Sequence, residues 1–382
     1  MITFDFSIKE GYNKVYLIKR KLYVPFRRFA ISMIKKRILV APLNWGIGHA
    51  TRCIPIINWL IEHNFEPIIA SDGEALQLLK TEFPDLIHET LPAYNIKYTK
   101  KGSDLKWKLL AQTPKMLKAK KAEKKTTKQL INKYNLSGII SDNRLGVRNK
   151  NVPSVFITHQ LNVLSGNTSA LSTKIHNDIM KKFDSVWVPD FKNEPNLSGK
   201  LGHLNNETKI NVTYLGPLSR LHKTETKTEY DIMVLLSGPE PQRTILADKL
   251  FETLKYFEGN ILFVKGKIEA EQTVSKINNF TIYNFMTSKA LEQAINSSEL
   301  IISRSGYTTV MDLAKLGKKA FFIATPGQFE QEYLAENFDK LGIVPTCNQE
   351  HFKLSQLEKV NDYKGLQMEY RKPNLKELFS LF

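Results

Sequence analysis

Two series of short apolar runs that alternate with helix-period segments constrain this chain more than any other feature. The first series starts with RILVAPL at residue 37, passes through EPIIASDG and LSGIISDNR, and ends with VTYLGPLSR at Arg220. The second starts with DIMVLLSGP at Asp231 and passes through GNILFVKG, LIISRSG and KAFFIATPG. Such runs predict buried parallel strands, and the segments between them predict crossover helices. The sequence therefore predicts an α/β fold with two doubly wound, Rossmann-like domains facing an interdomain cleft.

Shifts in composition along the chain predict its domain boundaries. We expect a basic N-terminal extension over residues 1–36, a first Rossmann-like domain over 37–219, a polar linker over 220–229, a second Rossmann-like domain over 230–360 and a C-terminal helical segment over 361–382. The extension mixes aromatic and basic residues without amphipathic order. Residues 1–32 are interpreted as a loosely attached segment or a start-codon artefact, with a membrane-touching arm as the alternative.

The net charge of +17 is concentrated in two segments. Residues 1–36 hold nine Lys or Arg against two acidic residues, and residues 97–128 hold twelve Lys against two, so the remaining chain is balanced. A nucleic-acid-binding protein usually spreads basic charge over its binding face, and no nucleic-acid partner is expected. In the second segment the apolar side chains of Leu105, Trp107, Leu109 and Leu110 lie beside the lysines. This mixture favours an anionic membrane surface as partner, with a solvated lysine-faced helix as the alternative.

The cysteines and the hydropathy pattern bear on localisation. Cys53 and Cys347 are far apart and form no metal-binding spacing, which fits a reducing compartment. No apolar run of about 18 residues is present. We therefore expect a cytoplasmic protein that needs no cofactor and that, if the basic segment binds a membrane, is peripheral at the inner face of the plasma membrane.

The loops that follow the predicted strands supply the candidate site residues, since ligands of open α/β sheets bind beyond the carboxyl ends of the strands. In the first series these residues are Asn44, Gly46, Gly48, His49, Asp142, Asn143 and His159. In the second series they are Gly238, Phe285, Met286, Ser303, Arg304, Ser305, Gly306 and Gln328.

The stretch SRSGYTTVMDLAKLG indicates an anion site. Ser303 to Gly306 turn from a strand into a helix, and backbone N–H groups with the positive end of a helix bind anions there. Asp312 lies one turn beyond Thr308 on the same face, where a carboxylate can accept hydrogen bonds from the paired hydroxyls of a ribose. The alternative is an ordinary helix that ends at Gly317 and carries a surface aspartate.

These residues also carry a family resemblance. The stretch from Ser303 to Val344, SRSGYTTVMDLAKLGKKAFFIATPGQFEQEYLAENFDKLGIV, resembles the nucleotide-sugar-binding half of glycosyltransferase family 28. GIGHATR is similar to the Gly-x-Gly-His turn in the acceptor half of that family. The family has the GT-B fold and includes the bacterial UDP-N-acetylglucosamine transferase that completes the lipid-linked peptidoglycan precursor. The resemblance covers residues 37 to about 345 in order and extends to uncharacterised bacterial members.

The resemblance implies a UDP-sugar donor. Backbone amides of Ser303, Ser305 and Gly306 would hold the diphosphate, with help from Arg304. Asp312, where better-known members have glutamate, would bind the ribose. Phe285 and Met286 would border the uracil, and Gln328, Glu330 and Gln331 would meet the donor sugar. Gly238 stands where the family has a further phosphate loop, although Pro239 removes one N–H donor from that loop.

The resemblance also implies an inverting, metal-independent transfer to a lipid-linked or other cell-envelope acceptor. No Asp-x-Asp pair occurs in the chain, so helix-end amides would stabilise the leaving diphosphate. His49 is the expected general base, with Asp142 and His159 as alternatives. Taken alone, a histidine after a glycine turn is more often a packing or capping residue. Two other hypotheses stay open, a nucleotide-sugar epimerase on the same fold and a non-catalytic nucleotide-sugar-binding or nucleic-acid-binding protein.

Overall fold

The structure is a computed structural model that describes residues 35–94, 105–164, 166, 169–204, 209–267, 269, 271–369 and 372–382. Residues Lys35–Phe382 form one compact unit. Most of the predicted basic extension, residues 1–34, lies outside the described residues. Residues 97–104 and the side chains of residues 105–114 also lie outside them, so the interpretation of Leu105, Trp107, Leu109 and Leu110 stays a prediction.

The first half of this unit is built on a parallel sheet of seven strands. The strands are β1 (Arg37–Pro42), β2 (Glu66–Ser71), β3 (Ile87–Thr90), β4 (Leu136–Asp142), β5 (Ser154–Ile157), β6 (Ser185–Val188) and β7 (Val212–Tyr214). Their order is β3-β2-β1-β4-β5-β6-β7, and every neighbouring pair is parallel. Strand β1 is buried over nearly its whole length, as a parallel strand covered on both faces should be.

The second half is built on a sheet of six strands. The strands are β8 (Tyr230–Leu235), β9 (Ile261–Val264), β10 (Val274–Ile277), β11 (Phe280–Tyr283), β12 (Ser298–Ser303) and β13 (Lys319–Phe322). Their order is β10-β11-β9-β8-β12-β13, in which only the pairing of β10 with β11 is antiparallel. Two doubly wound parallel sheets confirm the predicted α/β fold class.

Helices connect the strands in both halves. They are α1 (Gly48–Glu62), α2 (Gly73–Glu82), α3 (Leu105–Tyr134), α4 (Ser169–Met180), α5 (Gln242–Leu254), α6 (Ser288–Asn296), α7 (Tyr307–Leu316), α8 (Phe329–Lys340) and α9 (Leu375–Leu378). Helix α7 shows how local sequence sets a boundary. It ends at Gly317, whose φ of 66° lies in the left-handed region, and the N–H of Lys318 returns to the carbonyl of Leu313.

The order of the strands fixes where a ligand can bind. In the first sheet the chain leaves β1 toward β2 on one side and returns as β4 on the other. The same reversal separates β8 from β12 in the second sheet. Ligands of open α/β sheets bind at such switch points. The loops after β1, β4, β8 and β12 are therefore the expected walls of a site, and all four contain predicted site residues.

The last described residues pack against the first sheet, although they follow the second sheet in the chain. The ring centroid of Phe382 lies 6.2 Å from that of Trp187, and the ring of Phe379 lies 5.6 Å from that of Phe65. Phe382 also covers Gly138 of β4, where a Cβ would come within 2.3 Å of its ring. From residue 363 onward, the described helical residues of the predicted C-terminal segment are α9 and a short 3-10 helix, Phe379–Leu381.

Candidate active site

The loop after β1 delivers His49 to the carboxyl edge of the first sheet. Gly46 has a φ of 72°, a left-handed conformation that glycine adopts at little cost, and α1 begins at Gly48. A Cβ on Gly48 would lie 2.5 Å from Oγ1 of Thr308, which is in the first turn of α7. The first turns of α1 and α7 therefore touch, and the glycine permits this approach between the two halves.

His49 is paired with a buried carboxylate. Its Nδ1 lies 2.9 Å from Oδ1 of Asp142, the last residue of β4. Because β1 and β4 are in register, with Pro42 opposite Asp142, the loop after β1 begins beside this carboxylate. When Nδ1 donates its proton to Asp142, the lone pair lies on Nε2, which is the atom available to act as a base.

Burial and charge determine the protonation of this pair. Burial lowers the pKa of His49 below its ordinary value of 6.5, and this effect and the charge of Arg52 outweigh the attraction of Asp142. Burial alone would raise the pKa of Asp142, but Arg52 and His49 hold that pKa well below its usual range. The pair is therefore a neutral imidazole hydrogen-bonded to a carboxylate at neutral pH.

Arg52 joins this pair to a second histidine. It lies one helical turn after His49, and its Nε donates to Oδ2 of Asp142 over 2.6 Å while its Nη2 donates to Oδ1. Its Nη1 lies 3.2 Å from Nδ1 of His159 in the loop after β5. Only 2% of Arg52 is exposed, so these contacts are made away from water.

His159 in turn reaches the second half of the molecule. Its Nε2 lies 3.0 Å from Oε1 of Glu330 in α8, and Nε2 of Gln160 donates to the other oxygen of Glu330. The His159 ring stacks on Tyr307, the first residue of α7, at a centroid distance of 4.1 Å and an interplanar angle of 6°. The structure thus places all three candidate bases, His49, Asp142 and His159, in one cluster at the cleft.

The predicted diphosphate loop lies between β12 and α7. Ser303 and Ser305 are buried, and Oγ of Ser305 donates to the carbonyl of Gln331 over 2.8 Å. Gly306 is the N-cap of α7 in an extended conformation. The first N–H groups of a helix have no acceptor within that helix, so this turn presents donors toward the cleft.

Arg304 has a different environment from the one that its sequence position suggested. It is 1% exposed, and its guanidinium donates to the carbonyls of Ile323, Ala324 and Gln242 and to Oε1 of Gln349. Burial lowers the pKa of this group to about 10. The side chain braces the loops around β12 and β13, and we do not assign it a contact with the diphosphate.

The predicted donor-sugar residues lie at the start of α8. Gln328 is the N-cap of this helix, and Glu330 follows in its first turn. Gln331 is buried, and its Oε1 accepts from the N–H of Thr325 over 2.9 Å. Its Nε2 lies 3.9 Å from the position that a Cβ on Gly306 would take, so Gln331 borders the diphosphate turn.

The remaining predicted donor residues surround the same loops. Phe285 and Met286 are half-buried after β11, and the N–H of Phe285 donates to Oδ1 of Asn284 over 2.9 Å. Gly238 follows β8 with a φ of 99°, and nothing lies within 4 Å of the position of a Cβ on it. Gly238 is therefore exposed, and a side chain at this position would meet open space.

Asp312 lies two turns into α7 and is half-buried. Its Oδ1 accepts a hydrogen bond of 2.6 Å from Ser219, which comes from the segment that joins the two sheets. Burial raises the pKa of Asp312 to about 6, against the opposing effects of the Ser219 hydrogen bond and the Arg220 charge. Nη1 of Arg220 is buried without a hydrogen-bond partner among the described residues.

The other acceptor-side residues help to hold the loops in place. Asn44 donates to Oδ2 of Asp72 over 3.2 Å and accepts from the N–H of Ala75, so it connects the loop after β1 with α2. Arg144 binds Asp72 and lies 2.9 Å from Glu123 of α3. Asn143, between these loops, has a φ of 56°, and its N–H donates to the carbonyl of Ile157.

Sequence reasoning missed the connecting residues of the cluster. Arg52, Gln160 and Tyr307 were not predicted as site residues. The spacing of His49 and Arg52, three positions apart on a helix, was a usable signal because such residues share a face. The contact between His159 and Glu330 joins residues 171 positions apart and had no local signal.

The described residues contain neither a group of metal ligands nor a membrane-spanning helix. Within residues 35–382, apart from the undescribed positions, no three His, Cys, Asp or Glu side chains are grouped as metal ligands. In the same part of the chain, no helix combines the length and the apolar character needed to cross a membrane.

Comparison with protein families gives one match. Residues 242–376 match the model described as the glycosyltransferase family 28 C-terminal domain. This match covers the predicted nucleotide-sugar half and confirms the family resemblance there.

Two relatives carry the same name, UDP-N-acetylglucosamine–N-acetylmuramyl-(pentapeptide) pyrophosphoryl-undecaprenol N-acetylglucosamine transferase. The protein of Buchnera aphidicola subsp. Schizaphis graminum is 24% identical over 212 residues, which are 54% of this chain and 56% of the relative. The protein of Haemophilus ducreyi is 27% identical over 191 residues, which are 48% of this chain and 49% of the relative. The matches thus span about half the length of these relatives.

Solved structures share the fold over most of the chain. Acinetobacter baumannii MurG superimposes with a TM-score of 0.51 at 15% identity, over 86% of this chain and 92% of that chain. The glycotransferase of kitacinnamycin gives 0.59 at 12% identity over 86% and 90%. The calicheamicin glycosyltransferase CalG4 gives 0.57 at 10% identity over 91% and 94%. The fold is therefore GT-B, as the resemblance implied.

Proposed function

We propose that this chain is a glycosyltransferase that moves a hexosyl or N-acetylhexosaminyl group from a UDP-sugar. The match of residues 242–376 to the family 28 C-terminal domain supports this proposal. One observation carries the proposal. The His49–Asp142 pair of the first half lies at the first turn of α1, which touches Thr308 in the first turn of α7. A base and an anion-binding helix end thus lie together, where a hydroxyl and a sugar diphosphate would react.

The donor is assigned to the second half. Backbone N–H groups at Ser305 and Gly306 bind the diphosphate at the start of α7. Asp312 exchanges its hydrogen bond with Ser219 for the ribose hydroxyls, and the half-buried Phe285 and Met286 border the base. Glu330 accepts hydrogen bonds from the sugar hydroxyls, and the side-chain amide of Gln328 donates hydrogen bonds to them. The UDP-N-acetylglucosamine donor in the names of the two relatives supports a uridine nucleotide.

The reaction is a single displacement. Nε2 of His49 takes the proton of the acceptor hydroxyl while the hydroxyl oxygen bonds to the anomeric carbon. The bond from that carbon to the diphosphate oxygen breaks, and the electron pair leaves with UDP. Helix-end amides stabilise the charge on the leaving group, so the proposed step needs no metal ion. Attack from the side opposite the leaving group inverts the configuration of the anomeric carbon.

The acceptor is proposed to be a lipid-linked sugar or another cell-envelope molecule. The names of both relatives contain a pyrophosphoryl-undecaprenol acceptor. Helix α3 adds a physical argument from the molecule itself. Ala119, Glu123 and Thr127 are buried on one face, and the exposed lysines 115, 118, 121, 124, 125 and 128 lie on the rest of its surface.

Such a helix can bind an anionic membrane surface. Each lysine close to anionic lipid contributes on the order of 1 kcal/mol, so several together hold a protein at the surface. Leu117, which is 60% exposed among these lysines, supplies an apolar contact. We therefore propose a peripheral location at the inner face of the plasma membrane.

A panel of nucleotide-sugars in a thermal-shift assay is the first test of this proposal. UDP and a UDP-sugar should raise the melting temperature, while ADP-, GDP- and CDP-sugars should not. UDP release that depends on an added lipid-linked acceptor then establishes transfer. If no uridine compound raises the melting temperature, the proposal is wrong. Conversion of a UDP-sugar without an acceptor would identify an epimerase, and binding without turnover would identify a non-catalytic protein.

A further inference from the structure

Five polar side chains form a continuous path from the base to the donor side of the cleft; the three in the middle are buried and the two at the ends are half-buried. In order, the path consists of His49, Asp142, Arg52, His159 and Glu330. Its contacts are 2.9 Å from His49 to Asp142, 2.6 Å from Arg52 to Asp142, 3.2 Å from Arg52 to His159 and 3.0 Å from His159 to Glu330. We call this set the cross-cleft path. It begins in the first half and ends in the second.

Arg52 contacts both histidines: its Nη1 lies 3.2 Å from Nδ1 of His159, and its Nη2, which donates to Oδ1 of Asp142, also lies 2.8 Å from Nδ1 of His49. A guanidinium only donates hydrogen bonds, so Nδ1 of His159 must accept from Arg52. The proton of the neutral His159 ring is then on Nε2, where it donates to Glu330. Arg52 also fills both oxygens of Asp142, which keeps that carboxylate charged to accept from Nδ1 of His49. One guanidinium therefore contacts the base, the carboxylate paired with it and the histidine that holds Glu330.

The path is held rigidly where it crosses the cleft. The His159 ring lies flat on Tyr307, and the Tyr307 hydroxyl donates to the carbonyl of Pro189 over 2.8 Å. Glu330 accepts from both His159 and Gln160. Hydroxyls of a donor sugar that bind Glu330 must therefore share or replace these contacts. A change at Glu330 is passed to His159 and from there to Arg52.

We propose that Arg52 is a positioning residue that couples the His49 base to donor-sugar recognition at Glu330. The base is correctly ordered only when the two halves meet and the path is complete. This inference rests on the proposed function and adds a control to it, because acceptor activation and donor binding become linked.

The groups that face His49 come from four elements. Asp142 lies at the end of β4, Arg52 on α1 itself, His159 after β5 and Glu330 on α8. The positive charge of Arg52 disfavours the protonated ring of His49, and Asp142 favours it. Removing Arg52 while Asp142 remains should therefore raise the pKa of His49.

The first experiment measures this pKa by histidine NMR on the full chain, with the His49 signal assigned through a His49→Asn variant. Arg52→Gln should move the His49 titration to higher pH, and Arg52→Lys should move it less. Arg144→Lys is the matched control, because Arg144 is also a fully buried arginine of the first half, paired with Asp72 and Glu123. It should lower the melting temperature and leave the His49 titration in place. An equal shift in the control, or no shift in either Arg52 variant, would overturn the inference.

The second experiment measures coupling across the cleft by transfer kinetics. Arg52→Lys and Glu330→Gln are combined in a double-mutant cycle, and each single change should lower kcat by on the order of 10-fold or more, part of what general-base catalysis contributes. The double variant should lose much less than the product of the two losses, since either change already breaks the path. Losses that multiply would show that the two residues act independently. His159→Phe keeps a ring on Tyr307 and replaces Arg52→Lys in the cycle if the latter does not fold.

The two experiments separate this inference from the proposed function. The NMR comparison needs neither donor nor acceptor, so it decides the role of Arg52 even if no UDP-sugar binds. If the wild-type chain catalyses transfer but the Arg52 variants leave the His49 titration unchanged, the inference is wrong and the proposed function stands. Absence of uridine-nucleotide binding would remove the proposed function and the link to a donor sugar, while the measured effect of Arg52 on His49 would stand.

Discussion

At the scale of single residues, a change at His49 should slow transfer without weakening donor binding. We predict that His49→Ala lowers transfer about 10²- to 10⁴-fold, the usual contribution of a general base. UDP affinity should change little, because His49 lies on the acceptor side. Transfer rates and UDP titration by calorimetry measure the two effects. His222→Ala, which changes a histidine that is 77% exposed and paired with Glu292, serves as control. Equal losses of binding and transfer in His49→Ala would contradict the assignment.

Asp312 should make stability depend on pH. Its pKa is raised from 3.8 to about 6, so the folded state keeps a proton that the unfolded state has already released. Its contribution to stability is therefore largest below about pH 4 and is lost as the pH rises through 6.

Asp312→Asn removes this titration. The variant should be more stable than the wild type by about 1–3 kcal/mol at pH 8, with a smaller gain at pH 5. Thermal melts at the two pH values measure the difference. The same variant should bind UDP more weakly if Asp312 accepts from the ribose. A constant difference between pH 5 and pH 8 would show that Asp312 is not buried as described.

The sequence located the site residues better than it located their contacts. His49, Asp142 and His159 were found because each follows a predicted strand. They form one cluster because β1, β4 and β5 are neighbours in the sheet. Hydrophobic periodicity along the sequence does not reveal this strand order. Arg304 was predicted to help hold the diphosphate because a cation in an anion-binding turn suggests a contact with the anion. Burial decides otherwise, since four acceptors of the protein surround its guanidinium.

At the scale of elements, the approach of α1 to α7 depends on one missing side chain. Gly48→Ala should place a methyl group against Oγ1 of Thr308 and push the two helix ends apart. Overpacking of this kind costs about 1–3 kcal/mol, visible in chemical denaturation. Thr308→Ala removes the opposing atom, so the double variant should recover most of the loss. A double variant as unstable as Gly48→Ala would show that the strain lies elsewhere.

Helix α3 should bind anionic vesicles through its lysine face. Changing Lys118, Lys121 and Lys125 to Glu reverses three exposed charges and should greatly weaken flotation with anionic liposomes. The matched control changes Lys255, Lys267 and Lys276, three exposed lysines of the second half, and should bind as the wild type does. Equal binding to neutral and anionic vesicles would contradict a membrane role for this helix.

Element prediction succeeded where burial imposes a pattern on the sequence. The strands and helices predicted around both cores are confirmed. Strand β10 was not predicted, because all four of its residues are exposed and lack alternation. Strand β3 is only half-buried and was missed for the same reason. Helix α5 was missed although Leu246, Leu250 and Leu254 repeat at helical spacing and are buried.

At the scale of the whole molecule, the C-terminal segment should stabilise the half to which it returns. Phe382 is 7% exposed, lies near Trp187 and covers Gly138. Phe382→Ala should cost about 3–5 kcal/mol by leaving a cavity beside β4. Hydrogen exchange should then rise in β1 and β4 more than in β8 and β12. Tyr256→Ala, at a residue 73% exposed, is the control. Uniform loss of protection in both sheets would indicate a single cooperative unit instead.

The return of the chain also restricts how the cleft can open. The chain passes from the first half to the second after Tyr214 and returns to the first half after Leu366, and Gly216 and Met368 from these two passages line one cavity of about 490 Å³. Two covalent connections side by side resist sliding and separation, because either motion would stretch both backbones. Rotation about the line that joins them strains the chain least. The cavity supplies free volume beside both connections, so we expect the contact between Gly48 and Thr308 to open by rotation about this line rather than by sliding.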